Sequence, residues 1–150
     1  MKIYIASSWK NAEMAYSVAV YLRNKDFDVD VFCDDTTGRY VFHWSEMLDS
    51  PDKSISELNA VTFLKDKRSQ RAFKEDKKWL DWCDCCVLVL PAGNSSHLEA
   101  GYIKGQGKKL IIYAPLGFPQ GEFDVMYGFA GLLTDKIDEM VSFLKEEDGK

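Results

Sequence analysis

The sequence has no basic block anywhere: 19 lysines and arginines stand against 24 aspartates and glutamates, for a formal charge of −5. Proteins that live on polynucleotide backbones need a positive surface from which counterions are released. A nucleic-acid polymer is therefore not an expected partner, while a single nucleotide remains allowed. No apolar run is long enough to span a bilayer, and the opening apolar stretch, residues 3–6, is far shorter than a signal core before it meets Ser7 and Ser8. A membrane partner is not expected either. Cysteine is sparse, and three of the four crowd into Cys83, Cys85 and Cys86, whereas a secreted disulfide framework spreads its pairs along a small chain. The cytoplasm is the expected compartment. Neither a GxGxxG loop nor a P-loop Gly-Lys-Ser/Thr is present, which argues against a dinucleotide site of the usual kind. There are no internal repeats.

What the sequence does have is a hydrophobic period that changes repeatedly, the mark of alternating strands and helices. Residues 2–6 read as a buried first strand. Residues 11–24 carry Met14, Ala15, Val18, Tyr21 and Leu22 at helical spacing. Lys25 and Asp26 turn the chain, and residues 27–32 alternate as a second strand, with Phe27, Val29 and Val31 on one side and Asp28 and Asp30 on the other. Over residues 33–51 the pattern dissolves into loop formers, then aromatic Tyr40, Phe42, His43 and Trp44. A connection of that length is usually functional or disordered, and its aromatic density argues against disorder.

Residues 54–83 read as helix, broken near 65–68, with Phe73, Leu80 and Trp82 among its apolar positions and Trp79 in the core. Residues 85–90 have the apolar character of a central parallel strand covered on both faces. A turn over 92–96, a helix over 98–104, a strand over 109–114 and a loop over 115–121 follow. An irregular stretch over 123–133 leads into a closing helix over 134–147, with Thr134 as its N-cap. The expected fold is one α/β domain over residues 1–150, Rossmann-like or flavodoxin-like. Its sheet should be doubly wound and mostly parallel, with about four or five strands.

Open α/β sheets bind ligands at the carboxyl ends of their strands, where strand order reverses. Residues 7–9, 33–44 and 91–99 fall there. The last is the most informative, because it joins the central strand to a helix and places Glu99 in that helix's first turn. Ser96-His-Leu-Glu99 also fits a capping box, so spacing alone leaves Glu99 a structural role and a chemical one. Ser7, Ser8, Ser95 and Ser96, with the helix's first N–H groups, are candidates to hold a phosphate; their ordinary role is to cap turns. Arg39 and Arg71 are possible phosphate partners, although a lone arginine is usually a solvated surface charge. Cys83, Cys85 and Cys86 with His97 or His43 lack the paired spacing of a zinc site, and neighbours on a strand point to opposite faces. No metal and no cofactor are expected.

These residues resemble the nucleoside 2-deoxyribosyltransferase superfamily, including its nucleotide N-hydrolases, over most of the chain. Residues 3–9, Ile-Tyr-Ile-Ala-Ser-Ser-Trp, look like the family's opening strand. Glu75-Asp76, upstream of Asp84, is similar to its site aspartate and the aspartate opening its central strand. Glu99-Ala-Gly-Tyr102 followed by Gly107-Lys108 is similar to its nucleophile signature. Asp124-Val-Met126-Tyr-Gly128 looks like the segment that carries an asparagine in the deoxyribosyltransferases. Gly93 stands where the family often has an acidic residue or serine, and Asp124 stands in place of the asparagine.

The resemblance implies that Glu99 attacks the anomeric carbon, Asp76 orients or protonates the base, and Tyr4 hydrogen-bonds the nucleophile. It implies that Trp9 walls a base pocket, that Ser7, Ser8, Gly93, Asn94, Ser95, Ser96, Tyr102, Asp124 and Met126 contribute to substrate binding, and that the chain forms a homo-oligomer. The implied substrate is a small nucleoside or nucleotide. Loss of a base leaves an oxocarbenium-like sugar, which a carboxylate traps or stabilises. Different burial of two neighbouring carboxyls can keep one ionised and the other protonated. Two other readings are a non-catalytic nucleotide sensor on the same fold and an NAD glycohydrolase.

Overall fold

The computed structural model of the chain describes residues 1–50, 52–121 and 123–149; Pro51, the expected end of the long excursion, lies outside them. Five strands, β1 (Lys2–Ala6), β2 (Asp28–Val31), β3 (Cys85–Val89), β4 (Lys109–Tyr113) and β5 (Leu132–Thr134), form one all-parallel sheet in the order β2-β1-β3-β4-β5. This is the flavodoxin-like order, and it reverses between β1 and β3. Helices α1 (Ala12–Arg23) and α5 (Ile137–Asp148) cover one face. The longer α3 (Lys67–Trp82) and α4 (Asn94–Gly105) cover the other.

Alternation along each strand divides the core in two. Ile3, Ile5, Val29, Val31, Val87 and Ile111 pack under α1 and α5, against Val18, Leu22, Met140 and Leu144. Tyr4, Cys86, Leu88, Leu110 and Ile112 face α3 and α4, against Leu80, Ala100 and Ile103. Burying a side chain of this size contributes about 1.5–3 kcal/mol, and β3 is buried at every position, as its unbroken apolar run requires. Register adds one detail that matters below. Tyr4 lies beside Asp30 on β2 and Cys86 on β3, and Cys86 lies beside Leu110 on β4. Side-by-side residues of parallel strands point to the same face, so these four form one rung on the α3–α4 side.

The expected break in the residue 54–83 helix falls at Asp66. Its extended backbone ends α2 (Ala60–Lys65), and its carboxylate caps α3 by accepting from the Arg68 N–H at 2.8 Å. Asn59 caps α2 in the same way, accepting from the N–H groups of Val61 and Thr62.

The helix expected from residue 54 begins at Ala60, after a 3-10 turn over Ile55–Glu57, and three further boundaries differ from expectation. Helix α4 begins at Asn94, not near Leu98: Gly93 occupies the N-cap position without a side-chain bond, and its carbonyl already accepts from the His97 N–H at 3.2 Å. Glu99 therefore sits in the second turn, and a capping box from Ser96 does not form. The irregular stretch conceals the short strand β5, tied to β4 by Gly131 N–H to Leu110 O and Ala114 N–H to Thr134 O. Thr134 is the last residue of that strand. Lys136 occupies the N-cap position of α5, although the Thr134 hydroxyl still accepts from the Lys136 N–H at 3.0 Å and donates to Glu139 at 2.6 Å.

Candidate active site

Glu99 faces the sheet, and its carboxyl makes its bond there and not to its own helix. Tyr4, rising from the middle of β1, donates its hydroxyl to Glu99 Oε1 at 3.0 Å. Beside them lies a guanidinium that the loop following β2 carries into the core: Arg39 is only 4% exposed. Its Nη1 donates to Asp30 Oδ2 at 2.5 Å, its Nη2 pairs with Asp76 of α3, and its Nε donates to the Phe32 carbonyl at 3.3 Å. The guanidinium carbon stands 5.7 Å from the Tyr4 ring centre. Five side chains from β1, β2, the following loop, α3 and α4 thus form one cluster. Its open end is Asp76, whose side chain is 39% exposed.

Three carboxyls share one cation, so the cluster holds protons. Burial, reinforced by the charge of Asp76, pushes Glu99 up to about 8, against the opposing Tyr4 hydrogen bond and Arg39 charge. Burial likewise pushes Asp30 up to about 7, with Arg39 opposing. Asp76 is also raised by burial, with Arg39 opposing and Glu75 adding to the rise. Burial and the charges of Glu99 and Asp76 hold the Tyr4 phenol protonated, which keeps it a donor. Replacing Tyr4 with Phe removes a bond that favours the Glu99 carboxylate. The Glu99 titration midpoint is expected to climb by about one pH unit, read by NMR of carboxyl carbons in the labelled chain. A midpoint that stays put would show that the phenol does not act on Glu99.

Beside Glu99, between α3 and α4, lies a cleft of about 230 Å³ lined by Phe73, Lys77, Leu80, Leu98 and Tyr102. Phe73, one of the apolar positions of its helix, is 67% exposed at this rim. The Tyr102 hydroxyl donates to Asp81 at 2.6 Å and closes one end. A larger groove of about 790 Å³ opens at the carboxyl ends of β3 and β4, between Leu90, Pro91, Ala92 and the loop bearing Phe118, Phe123 and Tyr127.

The other expected substrate-binding residues divide by position. Ser7 is buried and engaged, donating to the Val89 carbonyl at 2.7 Å and accepting from Asn11 at 3.1 Å, so it ties β1 to β3. Ser8 accepts from the Lys10 N–H and caps a short 3-10 turn. Trp9 turns edge-on to Phe32 and His43, each ring centre 5.0 Å away. Gly93, Asn94 and Ser95 are exposed at the start of α4, while Ser96 is buried. Asp124 caps the 3-10 turn Val125–Phe129 by accepting from the Met126 N–H at 2.8 Å, and both residues are exposed. That turn is fastened to α4 by His97, whose Nε2 lies 3.2 Å from the Tyr127 hydroxyl and whose Nδ1 lies 2.8 Å from the Gly93 carbonyl.

Arg39 is the main correction to the sequence reading: it is a buried ion-pair centre with its fork engaged by the protein, not a solvated charge or a phosphate partner. Arg71 stacks on Tyr40 at 3.9 Å. Asp30 was also missed, although a carboxylate in mid-strand, beside a position that must be buried, calls for a cation nearby. Cys83, Cys85 and Cys86 are buried free thiols, with Cys85 in a different core from the other two. Among the described residues no His, Cys, Asp and Glu group is arranged to hold a metal ion.

Neither a protein-family model nor a curated protein matches the sequence. Solved structures do share its fold. The 2-deoxyribosyltransferase from Bacillus psychrosaccharolyticus is 16% identical, aligning over 93% of this chain and 90% of its own with a TM-score of 0.61. The CMP N-glycosidase BcmB from Clostridium botulinum is 14% identical, over 97% of this chain and 99% of its own, with a TM-score of 0.53. The resemblance in sequence is therefore matched by one in fold.

Proposed function

We propose that the chain cleaves or transfers the N-glycosidic bond of a (deoxy)nucleoside or nucleoside monophosphate, with Glu99 as nucleophile. One observation carries the reading: Tyr4 holds Glu99 turned away from its own helix and into a cluster with Asp76 and Arg39. A residue that served only to cap a helix would point back to the backbone. The activities named for the two structures sharing the fold, deoxyribosyl transfer and CMP N-glycosidic cleavage, agree with it.

In this reading the ionised Glu99 oxygen bonds to the anomeric carbon as the carbon–nitrogen bond breaks and its electron pair leaves with the base. The base takes up a proton, from Asp76 or from solvent water, and departs. Water then cleaves the glycosyl ester in a hydrolase, or an acceptor base takes the sugar in a transferase. Tyr4 positions the nucleophile, Asp76 faces the base, Tyr102 walls the cleft beside Glu99, and Trp9, Asp124 and Met126 meet the substrate from separate turns. Gly93 gives close backbone approach at the start of α4. Asn94 and Ser95 meet a 5′-phosphate at that helix start, with Ser8 donating from its capped turn and Ser7 and Ser96 supporting the turn from beneath. Residues 1–150 act as one cytoplasmic domain without a cofactor, and among the described residues no helix is long and apolar enough to cross a membrane. Exposed Leu98, Phe123, Val125 and Phe129 near the site give a homo-oligomer an apolar surface to cover.

The test is incubation with nucleosides, nucleoside monophosphates, their deoxy forms and NAD, followed by chromatography for free base. Free base from a nucleoside or nucleotide, with or without sugar transfer to an added base, is the expected result. Saturable nucleotide binding with no base released makes the chain a sensor. Release of nicotinamide alone makes it an NAD glycohydrolase.

A further inference from the structure

Asp76 and Glu99 enter the reaction as a pair, yet they are held differently, and the difference lies in Arg39. Glu99 receives a neutral hydroxyl from Tyr4. Asp76 receives a guanidinium, whose other arm is gripped by an aspartate that is itself 1% exposed. Asp30 Oδ2 takes that arm, and Asp30 Oδ1 is buried with no hydrogen-bond partner. A buried carboxylate with half its capacity unmet is costly. An arrangement serving stability alone would satisfy both oxygens or replace the pair with apolar side chains. What this one achieves is to fix the guanidinium's plane from three directions, Asp30, the Phe32 carbonyl and the Tyr4 ring, and to aim its remaining arm at Asp76.

We propose that Arg39, anchored by Asp30, is a positioning residue that holds Asp76 as a carboxylate, so that Asp76 accepts a hydrogen bond from the base instead of donating its proton. The proposal rests on the nucleoside-cleaving reading and deepens it. Of the two roles open to Asp76, orienting the base or protonating it, Arg39 selects the first. The base edge that meets Asp76 must then present an N–H, as an exocyclic amine or a protonated ring nitrogen does, and an acceptor-only edge is rejected. The charged and titratable groups facing Asp76 are Tyr4 from β1, Asp30 from β2, Arg39 from the loop, Glu75 on its own helix and Glu99 from α4. Glu75 is taken up by the Trp79 indole N–H at 2.8 Å and Lys78 at 3.4 Å. Arg39 is the cation in direct contact with Asp76.

The experiment compares wild type with Arg39→Met, Arg39→Lys and Asp30→Asn in the full chain. The carboxyl carbons of Asp and Glu are titrated by NMR, with Asp76→Asn used to assign the signal, and the pH profile of base release is recorded in parallel. Arg39→Met is expected to move the Asp76 midpoint upward by about one to three pH units and to shift the base-release profile with it. Arg39→Lys keeps the charge and restores most of both. Asp30→Asn, which removes a negative charge and leaves Arg39 in place, lowers the Glu99 midpoint and leaves the Arg39–Asp76 pair intact. An Asp76 midpoint unchanged in Arg39→Met overturns the proposal; if that variant does not fold, Arg39→Gln, which keeps hydrogen-bond donors but not the charge, is expected to raise the midpoint likewise, and an unchanged midpoint there overturns it equally. If the titrations behave as expected and no nucleoside is cleaved by wild type, the nucleoside reading fails while the hold of Arg39 on Asp76 stands.

Discussion

Glu99→Ala is expected to slow base release by at least about a thousandfold while nucleoside binding stays measurable by calorimetry. The substitution separates chemistry from scaffold unusually well at this position. Glu99 lies in the second turn of α4 and caps nothing, so its loss frees no backbone N–H. Alanine is the best helix former, and the change also relieves a carboxyl held in a dry setting. Stability should hold or rise as turnover disappears. Full turnover by the alanine variant would remove Glu99 from the reaction and leave the Tyr4 contact as packing.

The second large effect is with pH. A nucleophile must be ionised, and Glu99 in the empty site is pushed up to about 8 by burial and by the charge of Asp76. The ratio kcat/KM is therefore expected to climb with pH and level off above about 8, standing near one-hundredth of its plateau at pH 6. A profile that falls over this range would make Glu99 the acid instead. Stability should run the other way. The Glu99 pKa is raised from an ordinary 4.5 to about 8 on folding, so its contribution is complete below about 4.5 and is lost as pH rises through 8. Asp30, raised to about 7, adds to that loss. Glu99→Gln takes up no charge and should raise Tm at pH 9, by about 2–4 °C for each kcal/mol of strain removed, with little change at pH 4. A variant no more stable than wild type at pH 9 would refute the buried-carboxyl account.

The strands and helices were legible where the hydrophobic period was long enough to count, as in β1, α1, β3 and the broken α2–α3 pair. β5 was not, because three residues show no period and just one of them, Thr134, is buried. The start of α4 was misplaced because Asn94 and Ser95 are turn formers whose side chains do not decide the cap when glycine precedes them. Tyr4, Asp76 and Glu99 were named through resemblance, and spacing alone left Glu99 between a cap and a nucleophile. Arg39 was illegible for a different reason. Its partners lie 9 and 37 residues away, and a lone arginine in a polar loop carries no local sign of burial. The available clue was Asp30, a carboxylate set in a strand at a position that its register with Tyr4 places against the core.

From the outer strand inward, the rung of Asp30, Tyr4, Cys86 and Leu110 descends from carboxylate through phenol and thiol to hydrocarbon. Such a slope gives the floor beneath α3 and α4 a compass bearing. All four side chains are buried, so the slope belongs to the core itself: its ionisable end lies at β2, where Arg39 enters, and its hydrocarbon end at β4.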